Sequence, residues 1–280
     1  MPYSAEISRS NPTLFVFLID QSGSMADGVP DQPNRRKADA LADAINRLLQ
    51  NLVIRCAKEE GVRDYFNVSV LGYGNRVGLA FSGPLAGREF VPISDVGNMP
   101  ARIDQRVKKT DDGAGGILEQ TVRMPVWFDP TADGGTPMCN ALSQAQGLVQ
   151  RWLAQHPDCF PPVVIHITDG ESTDGDPTQA MKAITSLGSS DGNVLLFNIH
   201  ISSDASTTPI AFPDSAATLP SQHAKILFEG ACPLTYNMRN IANTQHGMTL
   251  SEGARGYVYN GDMVLVVQAL DIGTRPSNLR

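Results

Sequence analysis

The sequence predicts an α/β protein built on one doubly wound, mainly parallel sheet flanked by helices, with a loop-rich insertion. Three observations carry that expectation. Residues 13–19, 163–168 and 193–201 are continuous apolar runs rather than alternating ones, as suits strands buried on both faces of a parallel sheet. Between them lie stretches whose apolar residues recur at spacings of three and four, the signature of one helix face. Strand and helix therefore alternate along the chain, which is the pattern of a doubly wound sheet.

The first strand, residues 13–19, ends at an acid, Asp20. After a polar loop, Leu41, Ile45, Leu48, Leu52 and Cys56 mark a helix over residues 37–60. Residues 66–73 supply a second strand and 76–81 a third, and the short link at Gly72 and Gly74 suits an antiparallel hairpin at the sheet edge. Periodicity fails over residues 83–131, which read as an insertion of loops with a short helix at 96–107. Met138, Leu142, Ala145, Val149 and Trp152 define the next helix, opened by Thr136-Pro137, where the missing proline N–H does no harm. Strand 163–168 again ends at an acid, Asp169; Asp176-Pro177 opens a helix to about residue 187; strand 193–201 follows. Beyond it come helical patterns at 222–228 and 234–243, a short run at 256–259, and a stretch at 263–270 assigned to helix on the strength of an Asp262 cap. One domain over residues 1–280 is expected, with a core at 13–201, the insertion at 83–131 and a C-terminal extension at 202–280.

Composition narrows the partners. With 41% hydrophobic and 18% charged residues the chain is globular, and a net charge of -7 gives no field that would gather phosphates, so nucleic acid is not expected. Residues 1–11 hold no apolar leader and no segment reaches the ~20 apolar residues of a membrane span. Cys56, Cys139, Cys159 and Cys232 lack metal or redox spacing and read as buried free thiols, in keeping with a cytoplasmic, reducing compartment and no membrane contact.

In a sheet of this kind ligands sit beyond the carboxyl ends of the strands, where strand order reverses. Asp20 and Asp169 occupy two such ends. In Asp20-Gln21-Ser22-Gly23-Ser24 a carboxylate and two hydroxyls fall at alternate positions of one turn, so their oxygens converge if the turn curls about a point. Thr136, after Gly134-Gly135, adds a third hydroxyl. An oxygen-only set with few charges suits Mg²⁺ or Mn²⁺ and not zinc, which takes His or Cys.

These residues resemble the von Willebrand factor A family and its metal-ion-dependent adhesion site. The likeness runs in order from residue 13 to about 201: apolar strand, Asp20 to Ser24, amphipathic helix, Gly134-Gly135-Thr136, then strand with Thr168-Asp169-Gly170. It implies a binding module and not an enzyme. Ser22, Ser24 and Thr136 are then direct metal ligands, with Asp20 and Asp169 acting through water or hydrogen bonds. A protein partner supplies an Asp or Glu to the open position. Residues 253–260 and 270–275 look like a bacterial cytoplasmic subset, which implies a Ser/Thr kinase or protein phosphatase of a stress or defence signalling module as partner. An adaptor subunit of an AAA+ machine is the other role that the family suggests.

Structural roles compete with these. Asp174 and Asp176 read as loop or cap residues, His166 and His200 as hydrogen-bonded core residues, Trp127 and Phe128 as core rather than an exposed recognition edge, and Arg35-Arg36-Lys37 and Lys108-Lys109 as solvated surface. A divalent-metal phosphohydrolase using Asp20 is the enzyme alternative, weakened because a haloacid-dehalogenase phosphatase needs a second acid where Ser22 stands. Neither a nucleophile elbow nor a phosphate-binding glycine loop is present in the sequence.

Overall fold

The computed structural model describes residues 3–29, 32–111, 117–201 and 206–275, without the side chains of 108–111 and 117–119. The strands of the central sheet and of the insertion hairpin are, in chain order, β1 (Thr13–Asp20), β2 (Phe66–Tyr73), β3 (Val77–Leu79), β4 (Val91–Pro92), β5 (Arg102–Asp111), β6 (Ile117–Val126), β7 (Val163–Thr168), β8 (Leu195–Ile201), β9 (Ile210–Ala211) and β10 (Tyr257–Gly261). The helices are α1 (Lys37–Cys56), α2 (Ile93–Asn98), α3 (Met138–Gln155), α4 (Thr178–Thr185), α5 (Gln222–Gly230), α6 (Tyr236–His246) and α7 (Met263–Gly273).

One sheet runs β9-β10-β8-β7-β1-β2-β3, with β4 also paired to β2. The strands from β10 to β2 are parallel, and β9, β3 and β4 close its borders antiparallel. The doubly wound α/β expectation holds, including the antiparallel hairpin of β2 and β3.

Every residue of β1 is buried, because both of its faces are covered. Phe15, Phe17 and Ile19 pack with Leu41, Ile45, Leu49 and Leu52 of α1 and with Val266 and Leu270 of α7. Leu14, Val16 and Leu18 point the other way, into Met138, Leu142, Ala145 and Val149 of α3. Strand side chains alternate sides, so a strand sandwiched between two helix layers must be apolar at every position. Removing one of its Phe side chains would cost about 3–5 kcal/mol.

The insertion departs from expectation. The helix expected at 96–107 is absent; α2 ends at Asn98, and β5 pairs with β6 from Arg102↔Val126 to Asp111↔Ile117 as an antiparallel hairpin. Pro100 disfavours a helical Met99, which sits at φ −128°, ψ 56°. Ile103 and Val107, four apart as on a helix face, are 47% and 58% exposed, so no core lies beneath them to reward a helix. The hairpin returns to the core through Asn46 of α1, whose Oδ1 accepts from Trp127 N (2.8 Å) and Phe128 N (3.1 Å) while its Nδ2 donates to Phe128 O (2.8 Å). Trp127 and Phe128 are accordingly buried core residues. This anchor sets the path of the loop that leads to Thr136.

Helix α1 stops at Cys56 because residues 57–62 fold into a tight hairpin with Gly61 at φ +116°. Cys56, Cys159 and Cys232 are buried free thiols as expected, but Cys139 is half-buried. Helix α7 forms with Asp262 Oδ1 accepting from Leu265 N at 2.8 Å, as its capping residue foretells.

Candidate metal centre

Helix α1 carries the chain from β1 to β2 along one face, whereas β7 lies on the other side of β1 and is reached past α3 on the opposite face. The crevice of a doubly wound sheet therefore opens at the carboxyl ends of β1 and β7. Asp20 is the last residue of β1, and Asp169 follows the last residue of β7.

Asp20 is 1% exposed. Its Oδ1 accepts from Ser22 N at 2.8 Å and its Oδ2 from Thr168 Oγ1 at 2.7 Å. Burial pushes its carboxyl up to about 6, with the Ser22 and Thr168 hydrogen bonds opposing the rise and the nearby Asp169 adding to it. The turn beyond continues the network. Ser24 Oγ donates to Asp169 Oδ1 at 2.8 Å, and the Ser22 and Ser24 hydroxyl oxygens lie 3.1 Å apart. Since the Ser24 proton is directed to Asp169, Ser22 is the donor within that pair.

The other oxygen of Asp169 meets a residue that the sequence reading placed on the surface. Lys37 is 0% exposed and its Nζ lies 2.5 Å from Asp169 Oδ2, with Asp27 Oδ2 at 3.8 Å. Within Arg35-Arg36-Lys37 the expectation of a solvated basic run fails at Lys37. Arg35 pairs with Asp43 and Arg36 with Asp39 at 2.8 Å, while the side chains of Lys108 and Lys109 lie outside the described residues. Lys37 was legible in one respect: it falls four residues before Leu41 and eight before Ile45, on the buried stripe of α1.

Thr136 comes from the loop before α3 and is 6% exposed. Sequence position suggests an N-cap, yet the capping is done by Asp174, whose Oδ1 and Oδ2 accept from Cys139 N and Asn140 N, each at 2.9 Å. Burial pushes the Asp174 carboxyl up, but these amides outweigh it and hold the group below the usual range. Asp176 likewise accepts from Thr178 N at 2.9 Å beside α4. Both acids are cap residues, as expected.

With the cap supplied from elsewhere, the Thr136 hydroxyl has no hydrogen-bond partner among the described residues. It points toward the Asp169 loop: a Cβ on Gly170 would lie 3.9 Å from its Oγ1. Backbone ties hold the three loops together, with Gly23 N donating to Gly134 O (2.9 Å) and Asp133 N to Gln21 O (2.7 Å) between the Asp20 and Thr136 loops, and Thr173 N to Thr136 O (2.9 Å) on the Asp169 side. Gly134 has φ +85°, and a Cβ there would lie 2.4 Å from Asn75 N, so only glycine fits this crossing.

Asp20, Ser22, Ser24 and Asp169 thus form one hydrogen-bonded chain, and Thr136 is tied to it through backbone. Among the described residues no group of three or more His, Cys, Asp and Glu forms a metal cage. The donors here are instead two carboxylates and three hydroxyls, a hard set that a small divalent cation takes. His166 is outside it. Tyr73 Oη donates to His166 Nε2 (2.7 Å), and His166 Nδ1 donates to Asn198 Oδ1 (2.9 Å), a tautomer fixed because Asn198 Nδ2 donates to Leu227 O (2.7 Å). Burial lowers His166 to about 4.

No family model and no curated protein matches the chain. Among solved structures it is similar to a von Willebrand factor type A protein from Catenulispora acidiphila, at 18% identity and TM-score 0.41 over 69% of this chain and 34% of that one. It is also similar to the ArnB paralog VWA2 from Sulfolobus acidocaldarius (14%, TM-score 0.34, 71% and 37% of the two chains). A third is the vWF domain of the type V pili tip protein Mfa5 from Porphyromonas gingivalis (16%, TM-score 0.31, 58% and 39%). The aligned part spans little more than a third of each of these proteins. The fold class stands on the sheet order and not on these likenesses.

Proposed function

We propose that this chain is a protein-binding module that holds one Mg²⁺ or Mn²⁺ ion through Ser22, Ser24 and Thr136 and uses it to engage an Asp or Glu of a protein partner. The observation that carries this is the Thr136 hydroxyl. The residue is 6% exposed, its hydroxyl is relieved of capping by Asp174, and that hydroxyl faces the Asp169 loop. The hydroxyl has no protein partner among the described residues and is not among the buried polar atoms left unpaired, so it opens into the crevice, where a cation can take its oxygen.

The neighbouring residues fit that use. Asp20 orients the Ser22 turn through its amide and Asp169 orients the Ser24 hydroxyl, so the carboxylates hold the direct ligands in place. The ion, when bound, supplies a Lewis-acid position for a carboxylate oxygen. The hydroxyls bring no charge of their own, which leaves that position attractive to an anion. The partner we assign is a Ser/Thr kinase or protein phosphatase of a bacterial signalling module in the cytoplasm, a reading supported by the sequence resemblance. No helix among the described residues is long and apolar enough to cross a membrane.

Burial of Asp20, with both oxygens already accepting hydrogen bonds, favours binding over a phosphohydrolase in which that carboxylate attacks phosphorus. The test is titration of Mn²⁺ into the intact protein by calorimetry, followed by affinity capture with and without EDTA. One ion per chain in wild type and none in Thr136→Ala is expected, with an acid-bearing partner retained only when metal is present. Capture indifferent to EDTA and to Thr136→Ala, or metal-dependent release of phosphate from p-nitrophenyl phosphate, would overturn the reading. Metal-independent co-purification with an ATPase would point instead to the AAA+ adaptor role.

A further inference from the structure

Two carboxylates beside a cation site have four oxygens to offer, and here each of the four accepts from a protein donor. Asp20 takes Ser22 N and Thr168 Oγ1; Asp169 takes Ser24 Oγ and Lys37 Nζ. Of these donors only Lys37 carries a charge. Its ammonium is fully buried at 2.5 Å from Asp169, where desolvation is expensive unless the charge is paired. An apolar side chain would fill the same stripe of α1 without that expense, so packing alone does not account for a lysine at this position.

From this placement we infer that Lys37 sets the order of binding at the site: it weakens the cation held alone, strengthens an anion on the loaded site, and so makes cation and partner carboxylate bind as a pair. The inference rests on the metal-site reading above. The two buried carboxylates and the one ammonium carry a net charge of one negative unit; Asp27, 3.8 Å from Lys37 Nζ, has a side chain 72% exposed, so water and salt screen it and it is not counted with the buried group. A divalent ion then leaves it one unit positive, and an incoming carboxylate brings it to neutrality. Without the ammonium the empty cluster is two units negative and a divalent ion alone neutralises it. Charges this close and this little hydrated interact strongly even at an effective dielectric near 20. Lys37 also keeps Asp169 engaged, which leaves Ser22, Ser24 and Thr136 as the direct ligands. It acts through Asp169 and is a positioning residue.

The experiment compares wild type, Lys37→Met and Lys37→Arg at pH 8 with Mn²⁺ and acetate as probes. Free Mn²⁺ is counted by electron paramagnetic resonance, and acetate on the loaded protein is followed by broadening of its methyl resonance. Lys37→Met should bind Mn²⁺ about tenfold tighter or more, and acetate about tenfold weaker or more, on the loaded protein. Lys37→Arg, which keeps the charge, should retain the wild-type order.

A lysine that only supports the fold would change both affinities in the same direction or neither, and either result overturns the inference while the metal site stands. Failure of all three proteins to bind Mn²⁺ would overturn the metal site itself. Should neither variant fold, the wild-type protein decides: the ¹⁵N resonance of the Lys37 ammonium must shift on saturation with Mg²⁺. An unmoved resonance would refute the proposed coupling.

Discussion

Replacing Thr136 by Val and Asp174 by Ala separates the site from the fold. Thr136→Val swaps a hydroxyl that no described protein group bonds for a methyl of the same shape. The residue precedes Pro137, where extended backbone is favoured and a β-branched side chain is at ease. In EDTA its stability should therefore lie within about 0.5 kcal/mol of wild type. Asp174→Ala removes the acceptor for two amides in the first turn of α3, together with a negative charge at a helix N-terminus, and should cost about 1–2 kcal/mol. Magnesium reverses the ranking. At a hundredfold excess over its dissociation constant an ion adds about 2.7 kcal/mol to the folded state by linkage. At roughly 2–4 °C per kcal/mol for a chain of this size, the melting temperature rises by about 5–10 °C. Wild type and Asp174→Ala should both show that rise and Thr136→Val should not. Calorimetric scans of the three proteins in EDTA and in Mg²⁺ decide it. A Thr136→Val protein that melts well below wild type in EDTA yet keeps the magnesium shift would make the hydroxyl a fold element, and the argument from the displaced cap would be wrong.

Two further outcomes concern the fold. His166 is held neutral by burial down to about 4 against an ordinary value of 6.5, so unfolded chains take up its proton first and stability falls as pH drops from about 6.5 to about 4. At about 1.4 kcal/mol per unit the loss is on the order of 3 kcal/mol. Asp20, raised to about 6, acts with the opposite sign above its ordinary 3.8, so the readout is the difference between wild type and His166→Gln in urea midpoints across that window; parallel profiles would refute it. Asn46→Leu leaves the amides of Trp127 and Phe128 and the Phe128 carbonyl without their buried partner, and a loss of about 3 kcal/mol in urea unfolding is expected. A loss under about 1 kcal/mol would show that the return from the hairpin is held elsewhere.

What the sequence disclosed follows from how local each signal is. Strand β1 was legible because burial on both faces forces an unbroken apolar run, and α7 because one residue, Asp262, caps it. Asp20, Ser22 and Ser24 lie in one turn, so their alternation could be read directly. The capping of α3 by Asp174 joins residues some 35 positions apart and leaves no local trace; Thr136 looked like the cap for that reason. The hairpin of β5 and β6 is a ribbon with Ile103 and Val107 half open to solvent, and its few apolar residues fall at a spacing that also suits a helix. Three consecutive cations look alike in composition, and only the phase of Lys37 on the buried stripe of α1 sets it apart from Arg35 and Arg36.

The strands that cover β8, β10 and beyond it the border strand β9, bear on how binding partners are sought. Tyr257 and Val258 pair with Asn198 and Ile199, and Gly273 at the end of α7 rests against Ile165 and Phe197. A bait fragment cut after Ile201, where the motif-bearing part ends, would strip both away. It would bare Leu-Leu-Phe-Asn-Ile-His-Ile, a strand free of proline and formal charge, along its whole hydrogen-bonding edge. Such an edge recruits other strands indiscriminately. Hits from that fragment would report adhesion to an open sheet, whereas baits carrying residues through 275 keep the border closed and leave the strand-end loops as the surface on offer.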